Sequence, residues 1–141
     1  MRCLLLLALL PLGGCVAGAM PSDQGRDSAL YASLGTRYEA REWLSRNRDA
    51  DALAVHRFRS TRAGRAFVDT LYAMGALKVE VTNVRSDSGR RRGYSDALLI
   101  TLPADARRRK LLFGVNATES VRGGFEPEPD RGQTLLYFWW D

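Results

Sequence analysis

The stretch Thr134-Leu135-Leu136-Tyr137-Phe138-Trp139-Trp140 constrains this chain's fold more than any other. Aromatic and β-prone residues follow one another without a break, which is the composition of a strand. Successive side chains of a strand alternate between its faces. Leu135, Tyr137 and Trp139 therefore point one way, and Leu136, Phe138 and Trp140 the other. A sheet ending in this strand must hide large apolar groups on both sides, because monomers rarely leave a patch of that size bare. Four of the 13 aromatic residues sit in this one run.

The remaining pattern supplies partners for it. Asp96 to Leu102 (DALLITL) is apolar on both faces, as in an interior strand. Leu77, Val79 and Val81 alternate with Lys78, Glu80 and Thr82, a half-buried strand over 77–82. Ala52 to Phe58 (ALAVHRF) is short, apolar and bounded by turn residues, and reads as a strand. Ser60 or Thr61 can cap a helix that carries Ala63, Ala66, Phe67, Leu71 and Met74 on one stripe and stops at Gly75. Pro103 and Asp105 suit the start of a second helix running to about 121, with Leu111, Leu112 and Val115 inward and Gly123-Gly124 behind it. Residues 85–93 and the Pro- and acid-rich 125–131 read as loops. Earlier, Thr36-Arg37-Tyr38-Glu39 fits a capping box for a helix over 36–47 bearing Trp43 and Leu44, with a favourable Glu42–Arg46 pair.

The expected class is α+β. Over residues 52–140 the order β-α-β-β-α-β is that of the ferredoxin-like split sandwich, with a four-stranded antiparallel sheet, both helices on one face and an additional N-terminal helix. Its strand order is 4-1-3-2. The alternative is another α+β arrangement in which the 36–47 helix joins the core. The second sheet face would carry Tyr137 and Trp139, extended by Ala97, Leu99 and Ala54. Either the 36–47 helix covers it, through Trp43 and Leu44, or another molecule does.

The N-terminus points to export. Met1-Arg2, an unbroken apolar run from Cys3 to Leu10, and small residues to Cys15 have the layout of a secretory signal peptide. Leu12-Gly13-Gly14-Cys15 resembles the lipobox of bacterial lipoproteins. The resemblance implies cleavage between Gly14 and Cys15, then lipid (palmitate among the acyl chains) on Cys15. Several acyl chains anchor a protein stably where one does so marginally. Val16, not an acidic residue, follows Cys15; in the enteric sorting rule this implies the outer membrane, facing the periplasm. Two rivals stay open: cleavage after Ala17-Gly18-Ala19, which would release a soluble periplasmic protein, and retention as an anchor helix, which Pro11 and the glycines disfavour. The expected division is a signal peptide at 1–14, a flexible tether at 15–35 and one small domain at 36–141.

Composition narrows the function classes. With 45% hydrophobic and 26% charged residues, 141 residues make an ordinary globular chain of single-domain length. Two Cys and one His exclude a disulfide framework and a zinc cluster. The net charge of +5 comes from 19 Arg and 2 Lys against 16 acids, a ratio that suits a GC-rich coding bias. The basic runs Arg90–Arg92 and Arg107–Lys110 suggest nucleic acid. Tyr94 to Thr101, however, lacks the pattern of an RNA-recognition strand. Glu126, Glu128 and Asp130 lack the EF-hand spacing, so no metal is expected. His56 has no neighbouring acid or nucleophile in sequence and reads as structural or surface. Asn116-Ala117-Thr118 matches a glycosylation acceptor on a predicted helix. No nucleophile elbow, phosphate loop, dinucleotide fingerprint, metalloprotease motif or C-x-x-C is present.

The expectation is a lipid-anchored envelope protein, non-enzymatic, with no cofactor and no nucleic-acid partner, whose domain binds a protein or itself. Trp43, Leu99, Tyr137 and Trp139 are the candidate interface or pocket. The second reading is a small-ligand-binding or sensor domain, with a pocket between the sheet and the 36–47 helix lined by Trp43, Tyr137 and Trp139.

Overall fold

Four strands form one antiparallel sheet in the order in which the chain makes them: β1 (Tyr38–Glu39), β2 (Lys78–Thr82), β3 (Ala97–Thr101) and β4 (Leu135–Trp139). The helices that accompany them among the described residues include α1 (Ala40–Arg46), α2 (Val55–Phe58), α3 (Thr61–Ala73) and α4 (Ala106–Arg122). The structure, a computed structural model, describes residues 31–86 and 93–140. The expectations for the signal peptide, for Gly14 and Cys15, and for Arg90–Arg92 lie outside the described residues. The class is α+β with an open antiparallel sheet.

The register explains why the terminal strand needs two covers. Ala97 stands opposite Trp139, Leu98 opposite Phe138, Leu99 opposite Tyr137 and Ile100 opposite Leu136. On the other flank Val79 pairs with Ile100 and Val81 with Leu98. Val79, Val81, Leu98, Ile100, Leu136 and Phe138 thus share one face. They join a core with Trp43 and Leu44 of α1, Val68 and Leu71 of α3, and Leu112 and Phe113 of α4.

The strand expected at 52–58 is not formed. Ala54 takes a left-handed backbone (φ 40°), which ends any extended run, and Val55–Phe58 close one helical turn. What remains is a single parallel bridge from Leu53 to Ser95, fixed by Ala54 N–H donating to the Ser95 carbonyl at 2.8 Å. A short apolar run cannot by itself distinguish a strand from a buried turn, and here burial of Ala52, Leu53 and Ala54 is met without a strand. With no strand at 52–58, β3 pairs directly with β4. The order is therefore β1-β2-β3-β4 and not 4-1-3-2.

Other boundaries follow local chemistry. Ser60 Oγ accepts from Ala63 N–H and starts α3, and Gly75 (φ 105°) turns the chain away after it, as expected. Asp105 caps α4 by accepting from Arg108 N–H at 2.8 Å, which leaves Pro103 ahead of the helix. The capping box at Thr36 is displaced: Glu39 caps α1, accepting from Glu42 N–H at 2.7 Å, because residues 38–39 are spent on a strand. The Glu42–Arg46 pair forms at 2.8 Å. Leu77, Ala66 and Leu111, expected inward, are exposed.

Candidate functional site: the second face of the sheet

Glu80, Leu99 and Tyr137 lie in one row across the second face, with Thr82, Ala97 and Trp139 in the next. Leu99 and Ala97 are fully buried, so the middle of this face is covered, while Trp139 at its edge stays exposed. The cover includes Tyr31, expected to belong to the tether, whose ring sits 6.1 Å from that of Tyr137. Trp43 and Leu44 of the 36–47 segment instead enter the core on the opposite face. The first expectation for the cover, a helix folding over through Trp43, is thereby corrected. The physical cause is β1: pairing of Tyr38–Glu39 with β2 carries α1 to the face occupied by α3.

The four candidate residues separate accordingly. Leu99 and Tyr137 are cross-strand partners and Trp139 is two residues along the same face. Trp43 lines a separate cleft of about 410 Å³ with Tyr38, Glu39 and Glu42. The clefts of about 480 and 550 Å³ that Trp139 lines do not include Trp43. Ala54, expected to extend the aromatic row, sits in the core.

Tyr137 and Trp139 instead line a cleft of about 480 Å³ together with Tyr31, Asn116 and Phe125. Trp139 is 43% exposed, and its ring lies 5.1 Å from that of Phe125, which folds back over the end of α4. The Tyr137 hydroxyl accepts from Asn83 Nδ2 at 2.9 Å. Burial holds this phenol above its ordinary range, partly offset by such hydrogen bonds. Trp139 also borders a second cleft of about 550 Å³ that includes Leu34, Asn83 and Arg85.

One helix supplies the polar floor. Leu112, Asn116 and Glu119 recur at helical spacing on the buried stripe of α4. Asn116 donates from Nδ2 to the Tyr137 carbonyl at 2.8 Å, closing an outward backbone group of the edge strand. That bond fixes the amide orientation, and the Oδ1 is left buried with no hydrogen-bond partner. Glu119, one turn on, is saturated: it accepts from Arg57 and from Trp140 Nε1. Sequence reasoning missed Tyr31, Asn116 and Phe125 as site residues. The legible signal was Asn116 itself, an amide in phase with the apolar stripe.

The acid-rich loop is held by its own contacts. Asp130 accepts from Arg109 Nε at 3.0 Å, and Glu128 accepts from Gln133 Nε2 at 3.1 Å. Among the described residues no three His, Cys, Asp or Glu side chains converge on a metal-sized site. In the Arg107–Lys110 run, Arg109 is absorbed by Asp130 and Arg108 packs against the backbone of Gly75. His56 is exposed on α2. Among the described residues no helix is long and apolar enough to cross a membrane. The clefts therefore present aromatic surface and hydrogen-bonding groups, an arrangement suited to holding a molecule.

No known protein family, curated protein or solved structure matches this chain.

Proposed function

We propose that this protein is a lipid-tethered envelope protein whose small domain is non-enzymatic and presents the Trp139 face for binding. The lipobox-like Leu12-Gly13-Gly14-Cys15 supports the tether, and the exposed Trp139–Phe125 pair supports the binding face. From Cys15 to Tyr31 is 16 residues, which reach at most about 55 Å when extended. A lipid on Cys15 would thus keep the aromatic face near the membrane, on the periplasmic side of the outer membrane by the sorting rule. The partner is another protein or a second copy of the chain, since exposed aromatic surface at a rim of polar groups is what interfaces use. In fold kinship the domain is akin to the ferredoxin-like sandwich only in its layering, helices against one side of four antiparallel strands.

Mass spectrometry of the mature N-terminus tests the tether: a chain starting at lipid-modified Cys15 is expected, and an unmodified start at Met20 would overturn it. For the binding face, pull-down and sedimentation are expected to give a stoichiometric partner or a dimer that Trp139→Ala weakens. A monomer that recovers nothing would overturn that half.

A second reading, small-ligand binding, is favoured by one observation: the cleft of about 480 Å³ that Tyr31, Phe125, Tyr137 and Trp139 line.

A further inference from the structure

The outer face of α4 holds cations and apolar groups and no acid. At 3.6 residues per turn, Arg107, Leu111, Gly114, Thr118 and Val121 fall in one line along the helix, with Lys110 and Arg122 on its flanks. Every one of these positions is exposed, Leu111 at 47% and Val121 at 65%. Glu119, the one acid of α4, is buried and accepts from Arg57 and Trp140. We propose that this face lies on an anionic lipid surface, with Arg107, Lys110 and Arg122 at the head-group phosphates and Leu111 and Val121 in the interface. The inference rests on the tether reading for its place beside a membrane, and it uses a face other than that of Trp139.

Charge selects the occupant. The acids that border this face are engaged: Asp130 pairs with Arg109, and Glu128 accepts from Gln133 Nε2 at 3.1 Å. A second copy of α4 would set cations against cations, which opposes association. A nucleic-acid backbone would satisfy the cations but leave Leu111 and Val121 in water. A bilayer surface takes both, since its phosphates attract Lys and Arg and its interface accepts the apolar side chains of a helix lying flat. The tether permits the contact. Asn116, which meets the Tyr137 carbonyl, is on the opposite side of α4 from Gly114 and Thr118. Tyr31 packs on Tyr137 as well, so the chain to Cys15 leaves across the helix from this face. Its 16 residues, reaching at most about 55 Å, exceed the helix diameter of about 10–12 Å several times over.

The test reads the two lysines of the chain, Lys110 on this face and Lys78 on β2. The purified chain, expressed at full length, is mixed with vesicles of phosphatidylcholine, alone or with phosphatidylglycerol, and treated with a membrane-impermeant amine-acylating reagent. Acylation of Lys110 relative to Lys78 is expected to fall at least threefold on the anionic vesicles and to recover in high salt. On phosphatidylcholine alone it should stay at its level in detergent. Gly114→Glu sets a carboxylate in the middle of the face, where a Cβ would meet nothing within 4 Å. Its melt should stay cooperative and the protection should vanish. Should it not fold, Val121→Asp carries the test with the same expected loss. Equal acylation of Lys110 on both vesicles, or protection that survives the substitution, overturns the proposal. Protection already present in detergent would assign the face to a second copy, and stronger protection by duplex DNA than by vesicles would assign it to nucleic acid; either result overturns the lipid assignment. Flotation on phosphatidylcholine reports the tether separately: a chain that does not float there fails that reading, while charge-dependent protection of Lys110 still decides the face.

Discussion

Arg57 and Glu119, 62 positions apart in sequence, form a two-pronged ion pair: Arg57 Nε donates to Oε2 at 2.6 Å and a second guanidinium nitrogen to Oε1 at 2.9 Å. The Glu119 side chain is 7% exposed, and Trp140 Nε1 donates to it as well at 3.0 Å. One buried carboxylate therefore ties α2, α4 and the end of β4 together. Burial alone would push this carboxyl up, but the hydrogen bonds from Arg57 and Trp140, with the Arg57 charge, hold it below the ordinary glutamate value.

Removing one partner strands the other. Arg57→Ala is expected to cost about 3 kcal/mol in urea denaturation, since it leaves a buried, uncompensated carboxylate. The double variant Arg57→Met/Glu119→Met should be less destabilised than Arg57→Ala. Equal losses in both would show that the guanidinium acts by packing and not by charge.

The same pair sets part of the acid sensitivity. Unfolded, Glu119 titrates near 4.5, and folded it titrates lower. Between the two values the unfolded chain binds more protons, so the contribution is full above about pH 4.5 and is lost as pH falls through the folded value. Asp130, held down by Arg109, shifts the same way. So does Glu39, where burial is outweighed by bonds from the Tyr72 hydroxyl and from backbone N–H groups. The melting temperature of Glu119→Gln should therefore fall less steeply on acidification than that of the parent protein, without becoming flat. Parallel curves would assign the acid limb elsewhere.

Gly64 sits inside α3, where a glycine costs about 1 kcal/mol against alanine. A Cβ there would lie 3.2 Å from the Cβ of Leu53, which is fully buried. Gly64→Ala is expected to destabilise the fold by about 1 kcal/mol net, crowding outweighing propensity. Thermal melts of Gly64→Ala and Gly64→Ala/Leu53→Ala distinguish the causes, because trimming Leu53 should make the alanine neutral or favourable. A stabilised single variant would disprove the close approach.

Ser60→Ala removes the hydroxyl that accepts from Ala63 N–H at 3.2 Å. It should cost about 1 kcal/mol in denaturation. Ser60→Asp should retain most of the stability, and equal losses in the two variants would refute a capping role.

Long periodic stretches were legible because their chemistry is local. The alternation Leu135–Trp140 and the two-sided DALLITL run each require a strand whatever surrounds them, and the Ser60 cap and Gly75 stop act over one helical turn. Residues 52–58 were not legible as a turn, because the left-handed Ala54 answers to the bond its N–H makes with Ser95, more than 40 positions away. Asn116 was visible as a polar residue on an apolar stripe. Its unpaired oxygen was not, since that depends on where the Tyr137 carbonyl falls.

By itself, then, the sequence determined an α+β chain with β2, β3, β4, α3 and α4 and a terminal strand that demands cover on both faces. Only the tertiary structure decided which elements provide it. A two-residue strand, Tyr38–Glu39, pairs with β2 and sends Trp43 to the helical side, while Tyr31 reaches the aromatic side. Apolar burial is non-directional and roughly proportional to area, so the pattern of residues states how much surface must be hidden without naming its partner. Hydrogen-bond register and chain connectivity make that choice, and here they leave Tyr137 and Trp139 beside a cleft and Trp43 in the core.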